Sequence, residues 1–427
     1  MATSRELHCT HSRPRFPFLD GLRGLAALYV VFHHAYFEVA GPGLSQRLID
    51  SLGAIPNRLR SLTHWLDHGT LAVDVFIVLS GFCLMLPVAS SRDQQLGGGL
   101  LGFVKRRGRR ILPPYFAAVF VSLLLIACVP LLSAPSGDRW DHALPAFTSD
   151  VILSHLLLVH NLSREWIWKI NNPLWSVATE WQIYFVFALI LLPTWRRLGA
   201  AAGVSMAIFL GCVAEAFSPP DSEACFHFVG LFGFGMLAAD VRVGYLADSR
   251  VFDWPWKWIG SALSALTVGV ILFVPDALHQ PKIVVDNVVG LVTASLLLAC
   301  ASSERFALTR LLESKPLHRL GKFSYSLYLM HFPFVALGHL GMRAMGWGAV
   351  TRMVLMLFVV VPVTMALCYA FYRFFERPFV LDRQRQDSGT ARLSSTLRLR
   401  PEGSSPKSQV PLPAVGATAE HAKPALG

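Results

Sequence analysis

The stretch LDGLRGLAALYVVFHHA, residues 19–35, has the composition of a membrane helix yet carries Asp20, Arg23, His33 and His34. Ionisable groups are costly inside a bilayer and are kept there for a task. At 3.6 residues per turn, the path from Arg23 to His34 covers roughly 1100°, about 20° beyond three full turns. Both side chains therefore share one face, separated by about 16 Å of helix rise. Asp20 stands one turn before Arg23 on nearly the same stripe and can pair with it. His33 points about 80–100° away, so the geometry favours His34 as the partner of Arg23. The plainer alternative has Arg23 snorkelling to the interface and His34 packing on a neighbouring helix.

Two further stretches carry ionisable groups to similar depths. In NNPLWSVATEWQIYF, Asn172 can cap a helix and Pro173 can start it. Glu180 then lies about 10 Å down from the end of that helix. His34 is about 24 Å up a hydrocarbon core of about 30 Å from the opposite side, so the two groups reach comparable levels. A carboxylate can orient an imidazole and stabilise its charged form, as in acyl-transfer triads; the plainer alternative is that Glu180 bonds a hydroxyl or amide within the bundle. In HGTLAVDVFIVLSGF, Asp74 falls near the same outer end and Ser80 near mid-depth, where an arginine partner or a structural bond would explain Asp74 equally well. The stretch KRRGRRILPPY is the densest basic cluster, with Lys105, Arg106, Arg107, Arg109 and Arg110, and reads as a loop. Positive-inside topology accounts for part of it. Five cations at the mouth of a helix bundle also suit a phosphorylated ligand, with Arg110 placed to turn inward.

The elements that position these groups follow from composition. Of 427 residues, 53% are hydrophobic and only 15% charged, where a soluble domain has about 25% charged. Mean hydropathy is +0.48. Continuous apolar runs recur along most of the chain, which predicts an all-α, polytopic integral membrane bundle rather than a β-barrel. Ten spans are predicted, at about residues 18–40, 70–90, 112–133, 173–193, 200–217, 225–240, 258–275, 284–301, 323–341 and 349–372. The sixth, short and glycine-rich, should pack closely inside the bundle. Residues 150–162 are too short to span and read as a half-helix or surface helix. With the N-terminus inside, inner segments hold 23 Lys and Arg against 9 outside, counting Arg352 at the mouth of the last span. Both termini are therefore expected in the cytoplasm. The chain divides into a cytoplasmic N-terminal segment (1–17), a membrane domain (18–379) and a disordered, basic, cytoplasmic tail (386–427). The seven cysteines are scattered, without a CxxC pair, so neither disulfides nor a cysteine metal site is expected. The net charge of +11 sits in loops and tail and does not point to nucleic acid. No cleavable signal peptide is expected, the first apolar run being a retained span, and no internal repeat of the kind common in transporters is evident.

The blocks LDGLRGLAALYVVFHHA, VDVFIVLSGF, RRGRRILPPY, NPLWSVATEWQIY, GKFSYSLYLMHFP and FERPF occur in this order. Together they resemble the signature of the membrane acyltransferase-3 family, from about Phe18 to Phe379. That family includes O-acetyltransferases of bacterial surface polysaccharides and acyltransferases of macrolide antibiotics. The resemblance implies a ten-helix core that takes acyl-CoA from the cytoplasm. It implies an essential Arg and His separated by ten intervening residues in the first span, here Arg23 and His34. The R-x-x-R element corresponds to Arg107 and Arg110. The Trp block with its glutamate corresponds to Trp175 and Glu180, and the Tyr-Ser-Leu-Tyr-Leu-x-His block to Tyr325 and His331. Some relatives carry an extra C-terminal hydrolase-like domain, which is not expected here.

The expected activity is transfer of an acyl group, acetyl first, from acyl-CoA to a hydroxyl on a carbohydrate or glycosylated acceptor. The catalytic set is His34 as general base with Arg23 and Glu180; Arg107 and Arg110 bind the acyl-CoA phosphates. Asp20, Asp74, Ser80, Trp175, Tyr325 and His331 complete the candidate pocket. No metal is required. The acceptor is a glycan, lipid-linked glycan or macrolide, and the location is the bacterial cytoplasmic (inner) membrane. The rival reading is a transporter or flippase of a glycan or lipid precursor, its path lined by the same ionisable groups; a non-catalytic scaffold fits the charged stripe least. The charge bias makes a topology prediction. A reporter fused after residue 385 should report a cytoplasmic location and tags near Pro42 and Pro275 an external one; an external C-terminus contradicts the span count.

Overall fold

The structure, a computed structural model, describes residues 16–40, 63–91, 93–218, 224–244, 246, 251, 253–274, 280–302 and 306–379. The expected N-terminal segment before Phe16, the loop 41–62 and the tail lie outside the described residues. The described chain is helical throughout. Its main helices are α1 (Phe18–Ala40), α2 (Thr70–Ala89), α3 (Gly99–Cys128) and α4 (Leu174–Val186). A π-helical turn, Phe187–Leu191, carries α4 into α5 (Leu192–Ala216). There follow α6 (Phe228–Val243), α7 (Trp256–Phe273), α8 (Lys282–Ala301), α9 (Lys315–Lys322), α10 (Ser324–Ala344) and α11 (Ala349–Leu355). Helix α11 runs on through Val361–Phe371 by way of a second π turn.

Every one of the ten expected segments falls on helix, but the helices do not all look like spans. Among the described residues, six are long and apolar enough to cross a membrane: α2, α3, the continuous run Leu174–Ala216, α7, α8 and the run Ala349–Phe379. The run Leu174–Ala216 takes in two expected segments, broken where Gly199 adopts φ 86°, a backbone angle only glycine takes without strain. The helices that miss the criterion are α1, with its ionisable stripe, α6, only 16 residues long, and α10, with His331, His339 and Arg343. Helices α1 and α10 can carry polar groups because other helices cover much of their surface. Nearly all of α6 and most of α10 are buried, whereas α7 buries only Gly260 and turns Trp258, Leu266 and Phe273 outward.

The basic cluster is not a loop. Residues 105–110 form the first half of α3, ahead of Pro113 and Pro114. Lys and Arg are good helix formers, and five of them in six residues let the helix extend beyond the apolar run into the polar zone. Residues 150–162 overlap an eight-residue helix, Ser149–Leu156, too short to span, and a 3-10 turn, His160–Leu162.

Close packing sets the register. A Cβ on Gly81 of α2 would collide with the Phe232 carbonyl of α6, and one on Gly235 of α6 with the Val78 carbonyl of α2. The expected tight seat of the sixth helix is thus a mutual backbone contact with α2. Helix α1 is held likewise: a Cβ on Gly24 would stand 2.8 Å from the Gly321 amide, and one on Gly321 would strike the Asp20 carbonyl. From that contact α1 and the α9–α10 segment run side by side in the same direction.

Candidate active site

Five helices bring side chains to one cavity of about 100 Å³. Helix α1 supplies Arg23, α2 Ser80 and Cys83, α3 Arg107 and Arg110, α4 Ser176, Glu180 and Tyr184, and α10 Tyr325 and Tyr328. The Arg23 guanidinium donates to Cys83 Sγ at 2.9 Å and pairs with Asp20 at 3.6 Å; Asp20 also lies 3.4 Å from His318. Glu180 accepts hydrogen bonds from the Ser80 and Tyr184 hydroxyls. The Arg107 guanidinium lies 5.9 Å from the Tyr184 ring centroid, within cation–π reach. The Tyr325 hydroxyl donates to the Ile111 carbonyl at 3.1 Å, tying α10 to the helix that carries Arg107 and Arg110. Three guanidinium groups against one carboxylate give the cavity a positive balance, while Val73, Phe76, Ile77 and Val177 line it with apolar surface. Such a lining fits a ligand with an anionic head and a slender, less polar arm.

A second polar layer lies one step along the bundle. His34 Nδ1 is 3.0 Å from His331 Nε2, and the rings are 4.9 Å apart at their centroids. Tyr328 stands between this pair and the cavity. Its ring is 6.0 Å from that of His331 and 5.6 Å from Phe76, and its hydroxyl lies 2.5 Å from that of Ser176. His33 is turned the other way, with Nδ1 2.6 Å from the Leu66 carbonyl and 3.2 Å from the Gly69 amide nitrogen. It meets His34 only edge-on, 4.9 Å away.

Of the sequence-derived candidates, Arg23, Ser80, Arg107, Arg110, Glu180 and Tyr325 therefore share the cavity, with Asp20 behind Arg23. His34 and His331 form the pair beyond it. Two expectations are corrected. Glu180 does not hydrogen-bond His34; it bonds Ser80 and Tyr184, near Arg23. The level expected for Glu180 holds only for a helix that begins at the bundle surface. Its start is instead sunk in the protein: Asn171 is fully buried and donates to the Leu329 carbonyl (2.8 Å) and Ser122 (3.1 Å). Glu180, two turns further on, thus overshoots the His34 level. The expected cap by Asn172 is also absent, since α4 follows Pro173 with no side-chain cap.

Asp74 and Trp175 lie outside the cavity. Asp74 is wholly buried beside Asp286, which is bonded by His227 (2.7 Å) and Lys282. This network binds α2, the start of α6 and α8. Trp175 packs on Trp168 and Phe228, with centroids 6.2 and 6.0 Å away. Ser176, Tyr184, Cys83 and Tyr328 were not singled out from the sequence. Ser176 and Tyr184 sit four residues either side of Glu180, and Cys83 three after Ser80, so helical spacing from the chosen residues was the signal available. At the far end, between α3 and α4, burial acts to raise the Asp138 carboxyl, but His339 and Arg343 outweigh it and hold it below the usual carboxylate range. Arg343 also donates to the Ser136 carbonyl at 2.8 Å, fastening this connection to α10.

Comparison with known proteins agrees with the geometry. A family model described as an acyltransferase domain matches residues 16–373. The chain is 27% identical over 346 residues to the acyltransferase MdmB of Streptomyces mycarofaciens, covering 78% of this chain and 81% of that protein. It is 22% identical over 369 residues to the peptidoglycan O-acetyltransferase OatA of Listeria monocytogenes, covering 77% of this chain and 50% of that one. It is 23% identical over 359 residues to the O-acetyltransferase OatA of Staphylococcus aureus strain COL, covering 75% and 51%. The chain thus spans about half the length of the two OatA proteins. No solved structure matches it. With the family model covering nearly all of the helical region that builds the cavity, the chain belongs to the membrane acyltransferase-3 family.

Proposed function

We propose that the protein is a membrane-bound O-acyltransferase that moves an acyl group, acetyl first, from acyl-CoA to a hydroxyl of a carbohydrate or glycosylated acceptor. The observation that carries this reading is the cavity where Arg23, Arg107 and Arg110 meet an apolar wall, with an imidazole pair one layer beyond. In this reading the acyl-CoA phosphates bind Arg107 and Arg110 by charge-assisted hydrogen bonds, and the pantetheine arm lies along the cavity with its thioester directed past Tyr328. His34 Nε2 takes the acceptor's hydroxyl proton as that oxygen attacks the thioester carbonyl. The new C–O bond forms, the C–S bond breaks, and the departing CoA thiolate recovers the proton from the imidazolium. Arg23 stands where it offsets negative charge at the inner end of the arm. The acceptor class rests on relatives named for peptidoglycan O-acetylation and for acyl transfer, and the bacterial cytoplasmic membrane on the same relatives and the apolar helices. Both termini are assigned to the cytoplasmic side by the charge count. A transporter or flippase is the weaker reading, because membership of an acyltransferase family does not favour it.

Two sets of variants test the reading. Arg107→Ala and Arg110→Ala should each raise the KM for acyl-CoA about tenfold or more at normal protein abundance, since a charge-assisted contact contributes about 1.5–3 kcal/mol. Unchanged KM in both would reduce the cluster to a topology signal. His34→Ala should lower kcat by about 10²–10⁴, whereas His33→Ala, whose ring is bonded to the 66–69 backbone, should keep most of the rate once membrane insertion is matched. An inactive His33 variant beside an active His34 variant moves the base by one residue.

A further inference from the structure

The hydrogen bonds around the imidazole pair determine where its protons sit. His331 Nδ1 is 3.0 Å from the Leu327 carbonyl oxygen and 2.8 Å from that of Tyr328. A carbonyl oxygen only accepts, so Nδ1 must carry the hydrogen. In a neutral ring Nε2 is then a bare acceptor, and it faces His34 Nδ1 at 3.0 Å. His34 Nδ1 also lies 3.1 Å from the Val30 carbonyl oxygen. The opposite assignment would aim a lone pair of His34 at the lone pairs of Val30. Both neighbours of His34 Nδ1 are therefore acceptors, and one N–H is shared between them.

We propose that His331 is the positioning residue of the transfer reaction: through its Nε2 it fixes His34 in the Nδ1–H tautomer, leaving His34 Nε2 as the free basic nitrogen. The inference deepens the acyltransferase reading and rests on it for its kinetic consequence. In the acyl-transfer triads a carboxylate does this work for the base histidine. Here Glu180 is engaged by Ser80 and Tyr184, and an imidazole whose own tautomer is set by backbone carbonyls takes the place. A neutral partner orients the base without adding a second charge to the buried layer. The chain of constraint runs from the α10 backbone at Leu327 and Tyr328, through His331, to His34.

Two conservative substitutions separate this role from simple packing. His331→Asn keeps a donor near the Nδ1 position, able to bond the same carbonyls, but does not reach His34. His331→Gln puts an amide oxygen near the Nε2 position, where it can accept from His34 Nδ1–H. The first measurement needs no acceptor: ¹⁵N NMR of the full-length, histidine-labelled protein in proteoliposomes, with His34 assigned by difference from His34→Ala. The expected wild-type spectrum has His34 protonated on Nδ1 and bare on Nε2. His331→Gln should retain that pattern and His331→Asn should lose it. A wild-type His34 protonated on Nε2 overturns the proposal. The second measurement is release of free CoA thiol from acetyl-CoA, with soluble peptidoglycan fragments as the acceptor probe. His331→Asn should lower kcat by about tenfold or more with KM for acetyl-CoA unchanged, and His331→Gln should recover most of the loss. Equal rates in the Asn and Gln variants overturn the positioning role. A fully active His34→Ala would instead overturn the base assignment, leaving the tautomer decided by the spectrum.

Discussion

The site depends on the backbone contact between α1 and the start of the α9–α10 segment. Gly24 meets Gly321 and Gly321 meets the Asp20 carbonyl, with no room for a side chain at either glycine. Because the two segments run in the same direction, His34, ten residues beyond Gly24, arrives at His331, ten residues beyond Gly321. The same contact leaves Arg23, next to Gly24, at the level of Cys83 on α2 and inside the cavity. Two chemically different layers, one cationic and one imidazole, thus hang from one close approach, about 16 Å apart along α1. Any bulkier residue at Gly24 or Gly321 would push the helices apart and uncouple both layers at once.

A division of labour among the helices follows. Those that carry the ionisable groups, α1 and α10, together with the glycine-rich α6, are largely shielded by helices that face outward with Leu, Phe and Trp. This arrangement resolves the cost of ionisable groups at membrane depth, because they meet protein instead of lipid. It also places Tyr328 and Phe76 as the partition between the cationic cavity and the imidazole pair.

The sequence displayed the helices and the stripe on α1 clearly. Helical periodicity is local, and an ionisable residue in an apolar run announces itself. That Arg23 can pair with Asp20, and that His34 rather than His33 shares the Arg23 stripe, follow from turn angles alone; that this stripe brings His34 to α10 does not. The vertical match between helices was not legible. Nothing in the local sequence of α4 tells that its start is sunk in the protein, and only the burial of Asn171 against Leu329 reveals that Glu180 passes the His34 level. Register between helices is fixed by backbone contacts such as Gly81 with Phe232 and Gly24 with Gly321, whose partners lie far apart in the chain. The role of Asp74 was hidden for the same reason: its neighbour Asp286 is on α8. The basic cluster reads as a loop in the sequence because its charge masks its helical propensity.

The central claim is that acyl-CoA is consumed to esterify a hydroxyl. The most direct measurement gives the purified protein in proteoliposomes acetyl-CoA labelled in its acetyl group together with a hydroxyl-bearing glycan, and follows label and free thiol together. The account predicts label on the glycan as an alkali-labile ester, with one CoA thiol released for each ester formed. Glycan that crosses the membrane while acetyl-CoA stays intact, or ester that forms without release of CoA, would contradict it.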